Sequence, residues 1–108
     1  MTLQEKLYAL YEPFIVLECD VSHYRRINSK RFVVWAEDGE DNSFHADNLK
    51  EEQKLTGTVD LFTNKEFDPI ADDIQSILNT QQIGWYLASV LYEEETNLIH
   101  YQWRWYCG

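Results

Sequence analysis

The 108 residues carry 19 acidic and 9 basic side chains, a formal charge of −10, with 15% aromatic content. That balance argues against a protein that grips nucleic acid by its phosphates, so no direct nucleic-acid partner is expected. No apolar run approaches the ~18 residues of a membrane span, and Glu5 stands beside Lys6 where a leader would be basic. A soluble, intracellular protein is expected, folding as one domain over residues 1–108, long enough to bury roughly two thirds of its unfolded surface.

Leu3, Leu7, Leu10 and Tyr11 recur at helical spacing behind Thr2 and Glu5, a capping-box pair. Residues 2–12 therefore predict a short amphipathic helix, ended by Pro13. Phe14 to Leu17 has the aromatic and β-branched composition of a first strand, and the polar segment from Asp20 to Lys30 reads as a turn. Arg31 to Ala36 predicts a second strand, closed by the Asp38-Gly39 turn signal. From Glu37 to Glu52 the chain is acidic and polar, with Phe44, Ala46 and Leu49 as its only anchors, and a long loop is expected.

Strand composition returns from Lys54 to Thr63, where Gly57 suggests a bulge. Asp68 to Asn79 is the clearest helix: Asp68 suits the N-cap, Pro69 the first turn, and Asp72 and Asp73 the positive end of the dipole. Its stripe is Ile70, Ile74, Ile77 and Leu78. Ile83 to Tyr106 then forms two strand-like runs around the acidic turn at Glu93–Glu95. The second run alternates, with Ile99, Tyr101, Trp103 and Trp105 facing a core and His100, Gln102, Arg104 and Tyr106 facing away. In the first run Trp85, Leu87 and Leu91 oppose Tyr86, Val90 and Tyr92, so both faces need cover or a bulge near Ser89 switches the inward side. Together these elements predict an α+β two-layer sandwich, a mainly antiparallel sheet of about five strands with two helices on one face, ending in a C-terminal β-hairpin.

Residues that carry chemistry are sparse. The four glycines form no phosphate loop, and His23, His45 and His100 fall on different elements. Cys19 and Cys107 have neither zinc spacing nor an evident pairing. Helix-dipole compensation accounts for Asp72 and Asp73, and a solvated tip for Glu93 to Glu95. No catalytic, cofactor-binding or metal-binding residue is expected, and the chain does not read as an enzyme. Charge also argues against aromatic base stacking, which works with a basic groove. Large rings as core and as subunit anchors account for the aromatics better.

Arg25, Arg26, Lys30 and Arg31 lie close together, followed by Glu37, Asp38, Glu40, Asp41 and Asp47 without an intervening base. Two solvated turns of opposite sign explain the pattern, and so do complementary edges that meet between subunits. On the second account Arg25, Arg26, Arg31, Asp38 and Asp41 are interface candidates, joined by the outward residues Tyr86, Tyr92, His100, Arg104 and Tyr106 of the hairpin.

The stretch GTVDLFTNKEFDPIADDIQSILN and, after it, IGWYLASVLYEEETNLIHYQWRW resemble small virion-assembly proteins of long-tailed phages and prophages of Gram-positive bacteria. Gly57 to Phe62, the Phe67-Asp68-Pro69 helix start and the hairpin from Tyr92 to Trp105 carry the likeness, which covers about half the chain. The resemblance implies a tail-completion or head–tail joining protein, similar to tail terminators that form a ring, usually of six subunits. It implies no enzymatic activity, contact with tail-tube and head–tail connector proteins, and residence in the virion after assembly in the host cytoplasm. A net charge of −10 also admits an acidic inhibitor that mimics DNA and occupies a host nucleic-acid enzyme.

Overall fold

A computed structural model describes residues 2–40, 54–81 and 83–107. The expected loop from Glu37 to Glu52, with Asp41 among its residues, lies mostly outside them. Helix α1 spans Leu3–Tyr11, and the Thr2–Glu5 capping box forms in both directions. The chain continues into a 3-10 turn, Glu12–Val16, before the strands β1 (Asp20–His23), β2 (Arg31–Glu40) and β3 (Leu55–Thr63). Helix α2 covers Pro69–Thr80, and the hairpin strands are β4 (Gly84–Glu93) and β5 (Leu98–Cys107). One five-stranded sheet results, in the order β1-β2-β3-β5-β4, with β1 parallel to β2 and every other pair antiparallel. This is the expected α+β architecture.

Two expectations fail near the amino terminus. Phe14 to Leu17 is not a strand: Pro13 fixes φ in the helical range near the start of the 3-10 turn, and of this run only Phe14 is fully buried. Val16 is 80% exposed, so its β-branched side chain decides nothing. Asp20 to His23, which reads as a turn, is a strand because it finds a partner in Phe32 to Trp35. Tertiary pairing overrides polar composition there. Four residues per strand is short enough for the seven-residue segment 24–30 to return the chain for parallel pairing.

Strand β2 runs through the Asp38-Gly39 pair. Its register slips between Glu37 and Gly39, leaving Asp38 as the extra residue of a bulge, with Gly39 at φ 150°. The bulge expected at Gly57 is therefore on the opposing strand. Gly57 has another reason to be glycine: a Cβ there would lie 2.2 Å from both the Ala36 carbonyl oxygen and Cζ2 of Trp105. The indole of Trp105 occupies that space and stacks on Trp35 at 5.2 Å between centroids.

The helices cover one face. Ile70, Ile74 and Leu78 of α2 and Phe14 pack with Val33, Trp35, Val59, Leu61, Trp103 and Trp105, while Leu7, Leu10 and Tyr11 of α1 close the margin. Polar contacts set the helices in place: Trp103 Nε1 donates to Gln75 at 3.1 Å, Trp85 Nε1 to Asn79 at 2.9 Å, and Gln81 Nε2 to the Leu10 carbonyl at 3.0 Å. The opposite face carries a smaller cluster of Phe32, Val34, Phe62 and Leu98, partly roofed by Ile27 from the returning segment 24–30.

Asp68 is buried where β2 begins, β3 ends and α2 starts. Its carboxylate accepts from Arg31 Nε at 2.8 Å and also from Arg31 Nη2, from the Thr63 hydroxyl at 2.7 Å and from the Ile70 amide at 2.9 Å. Burial alone would raise its pKa. Arg31, the Ile70 amide and Thr63 outweigh burial and hold it below the ordinary aspartate value.

Two expected outcomes follow from this packing. Gly57→Ala, measured by urea denaturation, should lose roughly 1–3 kcal/mol of stability, because neither the Ala36 carbonyl nor the packed indole can move aside cheaply. Asp68→Asn should lose about 2–3 kcal/mol at neutral pH, less than a fully buried pair because the Arg31 side chain stays 33% exposed. Since the folded pKa of Asp68 is depressed, its contribution is present above the unfolded value of ~3.9 and lost as pH falls through the folded value. Acid titration of stability should therefore fall less steeply below about pH 4 in the variant than in the parent protein.

Candidate interaction surface

Strand β4 is one edge of the sheet and pairs only with β5. Its register slips between Leu87 and Ser89, so Ala88 is the extra residue and the inward side changes there, as the broken alternation of the sequence anticipates. Trp85, Leu87, Val90 and Tyr92 consequently share the helix-bearing face, matched to Trp105, Trp103, Tyr101 and Ile99, while Tyr86 and Leu91 face the other way.

Among the described residues, the hydrogen bond from Trp85 to the Asn79 side chain joins α2 to β4. Beyond that point both faces of the strand lie open: Leu87 is 43% exposed, Val90 49%, Leu91 58% and Tyr92 59%, with Tyr86 at 52%. No charged residue occurs between Gly84 and Tyr92. Edge strands are ordinarily guarded by lysine, proline or short length. This one is ten residues long and has none of those residues, its bulge being the one interruption.

The hairpin's outer face is polar and internally bonded. His100 stacks on Phe62 at 4.1 Å, and its Nε2 lies 2.7 Å from Asp60, which also accepts from Gln102 at 3.0 Å. His100 Nδ1 lies 3.4 Å from Glu93. Arg26, extended over the Phe62 ring at 4.2 Å, donates to Glu93 at 3.0 Å and so clamps segment 24–30 to the hairpin tip. The Arg26 hydrogen bond is the largest influence holding the Glu93 pKa below its ordinary value, against the opposing effect of burial, with Thr96 assisting. Arg104 donates to Asp38 at 2.9 Å, and Thr56 donates to the same carboxylate at 2.7 Å.

Of the residues singled out in the sequence, Arg26, Asp38, Tyr86, His100, Arg104 and Tyr106 thus gather on or beside one sheet face. The Tyr106 ring covers Gly84, where a Cβ would lie 2.0 Å from Cε2 of that ring. Tyr92 lies on the opposite face, its hydroxyl donating to Asn97 in the turn at 2.9 Å. Arg25 is exposed, and Arg31 is engaged with Asp68 as part of the fold. Asp41 lies outside the described residues.

One constellation escaped the sequence. His23 stacks between Tyr11 at 5.3 Å and Tyr24 at 3.9 Å, its Nε2 lies 2.7 Å from Glu37, and the Tyr24 hydroxyl also donates to Glu37. Tyr24 holds φ at 74°, an uncommon conformation for an aromatic residue, fixed by this stack and by its amide bond to the Trp35 carbonyl at 3.0 Å. Three separate segments, α1, the end of β1 and β2, supply these groups, so no local motif announces them.

The thiols of Cys19 and Cys107 are unpaired. Burial pushes the Cys19 thiol up to about 11, away from the range of a reactive thiolate. Among the described residues no group of three His, Cys, Asp or Glu side chains is placed to hold a metal ion, and no helix is long and apolar enough to cross a membrane. No family model matches the chain, and no curated protein matches it in sequence.

A direct comparison separates the open strand from the core. Leu91→Lys should change stability by no more than about 0.5 kcal/mol, since the side chain is already largely in water. Trp103→Ala, under α2, should cost roughly 3–5 kcal/mol in the same chemical-denaturation measurement.

Proposed function

We propose that the chain is a non-enzymatic virion-assembly protein that joins or terminates a phage tail at the head–tail junction, acting as an oligomeric ring. The observation that carries this reading is strand β4, whose Tyr86, Leu87, Val90, Leu91 and Tyr92 are exposed on an uncharged sheet edge. Contiguous apolar surface of this kind on a small protein marks a contact with another chain. The likeness of residues 57–105 to tail-completion proteins supplies the biological setting, with tail-tube and head–tail connector proteins as the partners in the virion.

The carboxylates favour this reading over an acidic DNA mimic. A mimic displays free acids at phosphate-like intervals, whereas Glu37, Asp38, Asp60, Asp68 and Glu93 are each bound to a histidine or arginine of the same chain. These pairs neutralise carboxylates along the sheet, and the exposed Glu94 and Glu95 cluster at the hairpin tip.

Native mass spectrometry and light scattering test the proposal. The expected result is a discrete oligomer, formed alone or on addition of a tail-tube protein, that Leu91→Lys reduces to monomer while leaving the fold intact. Monomer at every salt concentration, with the tail-tube protein present, would remove the assembly reading.

A further inference from the structure

We infer that β4 of one copy pairs antiparallel with β1 of the next, so that the sheet continues from subunit to subunit. This rests on the assembly reading and specifies how its contact is made. The argument begins with strand direction. Strand β1 is parallel to β2, β2 antiparallel to β3, β3 to β5 and β5 to β4, so the two edges of the sheet run in opposite directions. A neighbour related by rotation about an axis along the strands brings β1 beside β4 in the antiparallel sense. No inversion of the subunit is needed, and such a contact is heterologous.

The two edges also open at one height. Following the register across the sheet, Asp20 is level with Phe32, Phe62, His100 and Leu91, and His23 is level with Trp35, Val59, Trp103 and Leu87. Strand β1 therefore matches the exposed part of β4. Sidedness agrees as well: Val21 and Val90 both lie on the helix-bearing face, and Ser22 and Ser89 both lie on the other. Apolar would meet apolar and hydroxyl would meet hydroxyl.

Strand regularity, rather than charge, selects this pairing over a two-fold one. Glu94 and Glu95, at the tip beyond β4, are exposed and have no ion-pair partner among the described residues. Arg25 and Lys30, in the segment between β1 and β2, are likewise exposed and without one. Lys30 adjoins Arg31, at the same end of the sheet as Glu93, so the head-to-tail contact brings one unused cation toward the tip, while β1 brings the exposed carboxylates of Glu18 and Asp20 to the same end. Pairing β4 with its own copy about a two-fold axis would instead set each acidic tip beside Gly84 and Trp85 of the other chain. That arrangement centres on the Ala88 bulge, where the edge is least regular.

Disulfide trapping tests the contact. In a chain carrying Cys19→Ser and Cys107→Ser, one variant combines Ser22→Cys with Ser89→Cys and a second combines Val21→Cys with Val90→Cys. Adjacent positions alternate between hydrogen-bonded and non-hydrogen-bonded pairs, and the closer non-hydrogen-bonded pair suits a disulfide, so one variant of the two has favourable geometry. Circular dichroism confirms that each is folded before oxidation.

The expected result is a ladder of linked species beyond the dimer from a double variant and none from the corresponding single variants. Efficient dimers from Ser89→Cys or Val90→Cys alone would establish the two-fold contact and overturn the inference. Oligomers by native mass without cross-linking in either double variant would overturn it while leaving the assembly reading intact. An open ladder that never closes into a ring would uphold the edge pairing and remove the ring.

Discussion

The Asp68 carboxylate is the fixed point of the fold. It joins Arg31 at the start of β2, Thr63 at the end of β3 and the first turn of α2, so one buried group sets where the helix begins and which way it crosses the sheet. From that origin Ile70, Ile74 and Leu78 descend onto Val33, Trp35, Val59 and Leu61, and Gln75 meets the indole of Trp103. The helix ends at Thr80, close enough to β4 for Asn79 to accept from Trp85. The open surface on β4 follows from the same constraint: a twelve-residue helix anchored at Asp68 covers β2, β3 and β5 and leaves the edge outside.

Both faces of the sheet show how much a small chain does with short cover. On the helix side, two stacked tryptophans and a glycine without side-chain volume let β3 pass beneath Trp105. On the other side no helix lies among the described residues. Segment 24–30 shelters Phe32, Phe62 and Leu98 with Ile27, and Arg26 adds its guanidinium over Phe62 while holding Glu93. Beyond that thin cover the polar groups of the face are partnered, His100 and Gln102 with Asp60, and Arg104 with Asp38.

The elements that were legible in the sequence are those whose signals are local. Asp68-Pro69 with the isoleucine stripe specifies α2, Thr2 and Glu5 cap α1, and the alternation from Ile99 to Trp105 gives the core side of β5, with Trp103 and Trp105 fully buried. The break near Ser89 is visible for the same reason, since a bulge disturbs a period of two in place. Pairing is not local, and there the reading fails. Asp20 to His23 becomes a strand through Phe32 to Trp35, and Phe14 to Leu17 loses strand form to the helical turn that Pro13 favours. Likewise Gly57 has the meaning of a close contact, which only the position of Trp105 reveals. In the candidate surface the outward residues of β5 were readable by alternation, whereas Tyr92 falls on the helix-bearing face beyond the Ala88 bulge, and the union of Arg26, Glu93, His100 and Asp60 depends on sheet order.

An edge strand without charge from Gly84 to Tyr92, on a protein with a formal charge of −10, holds two opposing tendencies in balance. Apolar exposure on β4 favours association with any strand of suitable shape, and edges of this kind invite indiscriminate aggregation. Net charge opposes every contact between identical chains, over a range of about 10 Å at 0.1 M salt. A contact that buries the edge must therefore outweigh that repulsion. The bulge at Ala88 adds a second filter, because a partner strand must accommodate one extra residue midway. Charge and bulge together turn a sticky surface into a selective one, and selectivity of that sort is what a component built into an ordered assembly requires.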